Sequence, residues 1–163
     1  MPSQIIKSVP NWFTIGNLLS GIFAITSTMN AYIKIAAIFI LLSAVMDFLD
    51  GRIARKLKVN SELGVELDSL ADVVSFGVAP ILLFHTLAVP SLISTLAFIV
   101  YPAMGAIRLA RFSLKPTVGY FIGIPIPAAG LSMAAMSFFY YSNSLITIIL
   151  AALMVSPIRV KKF

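Results

Sequence analysis

Long apolar stretches broken by short polar turns run the length of this chain, and they set its predicted elements. A helix needs about 20 mostly apolar residues to cross the hydrocarbon core of a bilayer. Six stretches approach that requirement: Trp12–Thr28, Ile35–Asp50, Leu63–His85, Leu92–Arg108, Tyr120–Tyr141 and Leu145–Pro157. Turn signals separate them at Asn30, Lys58-Val59-Asn60-Ser61, Pro90-Ser91, Lys115-Pro116 and Ser142-Asn143-Ser144. The pattern predicts an all-α integral membrane protein with six transmembrane helices, forming a single domain over residues 1–163. No linker leaves room for a soluble domain, and no internal repeat or low-complexity tract is visible.

Composition agrees with this reading. Of 163 residues, 60% are hydrophobic and 11% charged, with a mean hydropathy of +1.01. A soluble domain carries about 25% charged residues. The absence of cysteine excludes a disulfide scaffold. Charge then orients the chain. Lys7, Arg52, Arg55, Lys56, Lys58, Arg108, Arg111, Lys115, Arg159, Lys161 and Lys162 fall on one side of the six-span arrangement, and Lys34 alone on the other. The positive-inside rule places both termini and that side in the cytoplasm, in a multi-pass protein of the cell membrane. The net charge of +6 is therefore a topology signal. It points to anionic lipid rather than nucleic acid as the nearest partner. Lys7 and the run after it look superficially like a signal peptide, but the run is long and lacks a small-residue cleavage site, so it is expected to stay as span one. Trp12 reads as an interfacial anchor, and the lone His85 as structural.

All six acidic residues lie between Asp47 and Asp72. Carboxylates at membrane depth are costly and mark functional sites. Glu62 has a simpler explanation, in the first helical turn after a Ser61 cap. The four aspartates do not. Asp47 and Asp50 sit about 60° apart around one helix, and Asp68 and Asp72 about 40° apart around the next. A short connection makes those helices antiparallel neighbours, so the four carboxylates are expected to converge near the cytoplasmic interface. Four bare charges so close repel. Divalent cations relieve that repulsion, and all-oxygen ligation suits Mg²⁺, Mn²⁺ or Ca²⁺. Gly51, Ala54 and Gly64 leave room for a ligand at the backbone, and Arg55 offers a guanidinium for phosphate. The combination describes a diphosphate site, although either glycine alone fits helix packing equally well.

Asp47-Phe48-Leu49-Asp50-Gly51-Arg52-Ile53-Ala54-Arg55, followed by Gly64, Asp68 and Asp72, reproduces the signature D-x2-D-G-x2-A-R-x8-G-x3-D-x3-D at every fixed position. The chain thus resembles the CDP-alcohol phosphotransferase family. The resemblance implies six helices around a polar cavity facing the cytoplasm, usually in a homodimer. It implies two divalent cations held by Asp47, Asp50, Asp68 and Asp72, with the CDP moiety against Gly51, Ala54, Arg55 and Gly64. Asn17 matches a nucleotide-binding position of relatives; an interhelical hydrogen bond explains it equally well.

Three further stretches resemble the membrane-type phosphatidylserine synthases of bacteria and archaea. They are Asp72-Val73-Val74-Ser75-Phe76-Gly77-Val78-Ala79-Pro80, Arg108-Leu109-Ala110-Arg111-Phe112, and Phe121 to Gly130. That branch implies transfer of a phosphatidyl group from CDP-diacylglycerol, or an archaeol analogue, to the hydroxyl of L-serine, with release of CMP. Arg108 and Arg111, three apart on one helical face, suit the serine carboxylate, or else are ordinary positive-inside residues. Pro125 and Pro127 interrupt the start of span five, which is tolerated where backbone lines a cavity, so Gly123 and Pro125 are expected at the acceptor pocket. Asp72 is the expected general base. The alternatives are a glycerol 3-phosphate or inositol phosphate acceptor within the family, and outside it a cation-coupled carrier. Intramembrane prenyltransferases share the aspartate–metal chemistry, but their motifs lie on helices far apart in sequence.

Overall fold

Helix α1 spans Pro2–Met29 and ends in a Schellman-type turn. The amide of Tyr32 donates to Ser27 and that of Ala31 to Thr28, with Ala31 at φ 60° in the left-handed position usually given to glycine. The chain reverses there into α2, Ile33–Leu57. The buried positions of α2 are Ile33, Ala36, Ala37, Ile40, Ser43, Ala44 and Asp50. They recur at three- and four-residue spacing, and so form one stripe. Most are small, which lets α1 and α2 approach along their length. Lys58 closes α2 in the left-handed conformation.

The structure, a computed structural model, describes residues 2–58, 61–115 and 120–161. As the sequence predicts, Ser61 caps the next helix, accepting from the amide of Gly64, and Glu62 stands in the first turn. Helix α3, Glu62–Asp72, passes through a π-helical turn at Val73–Val78 into α4, Ala79–Leu87. A Ser91–Ser94 capping box opens α5, Leu92–Leu114. The rod Glu62–Leu87 and helix α5 are each long and apolar enough to cross a membrane.

The fifth predicted span differs from expectation, whereas the sixth is found close to its predicted bounds. Tyr120–Ile122 forms a short strand, β1, paired antiparallel with β2 at Arg159–Lys161. Helix α6 begins only at Ile126, just after Pro125, and ends at Phe138. Helix α7 covers Ser144–Val155, capped by Asn143. The prolines delay α6, and both helices are short of a full bilayer span. Counting Glu62–Leu87 as one, the described residues form six helical rods.

The core lies where α1, α5 and α6 meet the π turn and α4, around Phe76, Ile81, Leu83, Phe84, Tyr101, Ile126 and Met133. Two glycines permit this. A Cβ on Gly21 would sit 2.9 Å from the Ser75 Cα, and one on Gly130 would sit 3.1 Å from that of Phe76. The outward faces are apolar: Phe23, Ile38, Phe48, Leu70, Ile99 and Ile149 are all exposed. Soluble monomers do not show apolar surface on this scale.

Candidate active site

The α1–α2 hairpin and α3 bring three helices to one level. Carboxylate oxygens of Asp47, Asp68 and Asp72 lie within 4.8 Å of one another. The fourth aspartate, Asp50, stands beside this trio, close enough for its charge to act on Asp47 and Asp68. It accepts a hydrogen bond from the Thr14 hydroxyl. Asp50 and Asp72 are buried. Asp68 Oδ1 is buried and has no hydrogen-bond partner. An all-oxygen, negatively charged donor set with an unpaired lone pair fits a hard divalent cation.

Asn17 on α1 is fully buried, and its Nδ2 donates to Asp72 Oδ1 over 3.1 Å. Its backbone carbonyl accepts from Ser43 on α2 at 3.2 Å and from Ser75 on the π turn at 2.9 Å. Asn17 Oδ1 is left without a partner, as is Arg108 Nε. Among the described residues, these two atoms and Asp68 Oδ1 are the buried side-chain polar atoms lacking a hydrogen bond. Buried polar groups are nearly always paired, so their concentration here points to a ligand.

One cavity borders the carboxylates, and a second borders Arg108. The first, about 100 Å³, is lined by Asp50, Gly51, Ala54, Gly64 and Asp68, together with Asn11, Thr14 and Ser61. A Cβ on Gly51 would meet little but the Arg55 Nη1 at 3.7 Å. Gly51 therefore leaves the cavity open and has the guanidinium as its neighbour. Gly64 is tighter, since a Cβ would lie 2.9 Å from the Ser61 hydroxyl and 3.3 Å from Asn11 Oδ1. Asn17 lies outside this lining, turned toward Asp72.

The second cavity, about 390 Å³, lies between the C-terminal ends of α5 and α7. Arg108, Arg111 and Lys115 give it three cations, and Phe112, Met154 and Val155 an apolar wall. Arg108 is buried and within electrostatic reach of Asp72. Glu66 on α3 accepts from Ser113 on α5 at 2.7 Å, tying the two helices together at this level. Gly123 and Pro125 stand outside the described lining. Gly123 turns the chain instead. Its φ is +74°, its amide donates to Ile158, and a Cβ would sit 2.4 Å from the Met154 carbonyl oxygen. Pro125 is the residue from which α6 starts. His85 packs against Phe98, ring centroids 4.8 Å apart with their planes tilted by 47°, away from the carboxylates.

Sequence reasoning passed over Asn11, Thr14, Ser43, Ser75 and Tyr101. Asn11, Thr14 and Asn17 did carry a signal: polar residues three apart in an apolar run share one helical face.

Helices converging on clustered carboxylates, with glycine and arginine beside them, make a helical protein whose acidic cluster is suited to a divalent cation. The sequence pattern of CDP-alcohol phosphatidyltransferases matches residues 7–158, and the chain belongs to that family. It is 40% identical over 162 residues to a Bacillus subtilis CDP-diacylglycerol–serine O-phosphatidyltransferase, covering 95% of this chain and 90% of the relative. The enzyme of that name from Methanocaldococcus jannaschii is 37% identical over 97% of this chain and 76% of its own. The one from Helicobacter pylori strain J99 is 38% identical over 80% of this chain and 57% of its own.

Proposed function

We propose that the protein is a phosphatidylserine synthase of the cytoplasmic membrane. In this reaction the hydroxyl oxygen of L-serine bonds to the lipid-bearing phosphorus of CDP-diacylglycerol. The bond from that phosphorus to the CMP phosphate oxygen breaks, and CMP leaves. The observation that carries the serine assignment is Arg108, a buried guanidinium with an unpaired Nε, lining the second cavity beside Asp72. An acceptor with its own carboxylate gives that guanidinium a partner.

The residues divide the work. Gly51 and Gly64 leave the first cavity open for the diphosphate and nucleotide, Arg55 supplies positive charge at its edge, and Asn11, Thr14 and Ser61 give polar contacts. Asp47, Asp50, Asp68 and Asp72 would hold two divalent cations, Mg²⁺ or Mn²⁺. Cations held there would supply positive charge toward the diphosphate during transfer. Asp72, within electrostatic reach of Arg108, takes the serine proton, and Asn17 fixes its carboxylate. Arg108 and Arg111 bind the acceptor carboxylate. The acyl chains stay in lipid against the apolar faces, while serine and CMP exchange with the cytosol. The basic ends of the helices face the cytoplasm, and the protein works as a homodimer.

The test is CMP release by purified protein in detergent with CDP-diacylglycerol and Mn²⁺ or Mg²⁺. L-serine, glycerol 3-phosphate and inositol phosphate are compared as acceptors. Release that needs both serine and metal supports the assignment. Release only with a phosphorylated acceptor overturns the roles of Arg108 and Arg111 and keeps the metal site.

A further inference from the structure

The π-helical turn at Val73–Val78 begins directly after Asp72, and its cause lies two residues beyond it. In an α-helix the carbonyl of Phe76 would accept from the amide of residue 80. Residue 80 is proline, which has no N–H and whose ring would press on that carbonyl. The helix widens instead, and the amide of Ala79 donates five residues back to Val74. The Tyr101 hydroxyl, fully buried on α5, donates to the Phe76 carbonyl over 2.9 Å. On the same turn Ser75 donates to the Asn17 carbonyl, and the Asn17 side chain holds Asp72. Tyr101 and Arg108 are seven residues apart on α5, hence on nearly the same face.

We propose that Tyr101 is a positioning residue. By holding the π turn open at Phe76 it sets the rotation of α3, and with it the placement of Asp72 against Asn17 and Arg108. The geometry explains why rotation is sensitive. A π turn inserts one residue into the helical register, and each residue is worth about 100° of rotation. Helix α4 is held by its packing on α6. A return to α-helical register would therefore swing Asp68 and Asp72 away from Asp47. Tyr101 touches neither substrate nor metal; it acts through the Phe76 carbonyl.

This inference rests on the carboxylates being a metal site, so the experiment reads metal binding directly. Mn²⁺ binding to the full-length protein in detergent is titrated by electron paramagnetic resonance, alongside serine-dependent CMP release and thermal unfolding. Tyr101→Phe keeps the ring and removes the hydrogen bond. It is expected to weaken Mn²⁺ binding severalfold and lower kcat roughly tenfold, the scale of one lost buried hydrogen bond. Pro80→Ala restores an N–H at residue 80 and favours α register. It is expected to weaken Mn²⁺ binding and turnover while leaving the melting temperature unchanged or higher, which a purely structural role would not produce. If both variants bind Mn²⁺ and turn over like wild type, the positioning role is wrong whatever their melting temperatures. Wild-type protein that binds no Mn²⁺ overturns the metal reading itself, and the positioning role with it.

Discussion

Asp72 and Arg108 are both buried, and their charges interact. Asp72 has two proposed duties, as metal ligand and as base, and a side chain of the same shape separates them from packing. Asp72→Asn keeps the hydrogen-bonding size and removes the negative charge. It is expected to retain CDP-diacylglycerol binding while serine-dependent CMP release falls at least about a hundredfold, the scale of a lost general base. Unchanged turnover would remove Asp72 from the chemistry. Arg108→Lys keeps the charge but loses the planar fork. The KM for serine should rise about tenfold, corresponding to about 1.4 kcal/mol of lost binding, with little change in that for CDP-diacylglycerol. A change confined to the lipid substrate would place Arg108 on the donor side. At this scale the sequence was most legible. The spacing of Asp47, Asp50, Asp68 and Asp72 predicts convergence, and three of the four have oxygens within 4.8 Å. Asp50, held aside by Thr14, was not separable by spacing, because a hydrogen bond from a third helix decides its direction.

Elements follow from the same local rules, and they depart from expectation where backbone groups lose their usual partners. Periodicity reads Leu63–His85 as one regular helix, because hydrophobic spacing averages over a turn and does not register a single inserted residue. The signal was Pro80, read as part of an apolar run rather than for the N–H it lacks. In span five the interruption expected at Pro125 and Pro127 is found, and α6 begins at Ile126, but the strand before it was not foreseen. Tyr120–Ile122 pairs instead with Arg159–Lys161, a partner far along the chain that no local pattern exposes. Close approach of α1 to the π turn gives a prediction at this scale. Gly21→Ala places a Cβ 2.4 Å from the Ser75 hydroxyl and 2.9 Å from its Cα. Backbone must shift, so stability should fall by about 1–3 kcal/mol, seen as a lower melting temperature in detergent. Unchanged melting would show that the α1 contact yields without cost.

At the scale of the whole molecule, the two long apolar rods and the exposed apolar faces are those of a membrane protein. Large apolar side chains face outward on the long helices, a surface suited to lipid. Lys34 stands at the start of α2 with its ammonium 5.7 Å from the ring centroids of both Phe138 and Tyr140. Cation–π contacts of this kind hold a lone cation among aromatics. At the opposite ends of the rods lie Arg52, Arg55, Lys56 and Lys58 near the close of α2, and Arg108, Arg111 and Lys115 near the close of α5. An enzyme drawing serine from the cytosol must open both cavities on that basic side. The chain contains no cysteine, so single introduced thiols report topology without background. In intact cells a membrane-impermeant maleimide is expected to label Lys34→Cys, and to label Lys58→Cys only after permeabilisation. Both sites are exposed, so failure to react reflects the membrane rather than burial. The reverse pattern would put the carboxylates on the outer face, away from the cytosolic serine pool, and the proposed reaction could not run in that orientation.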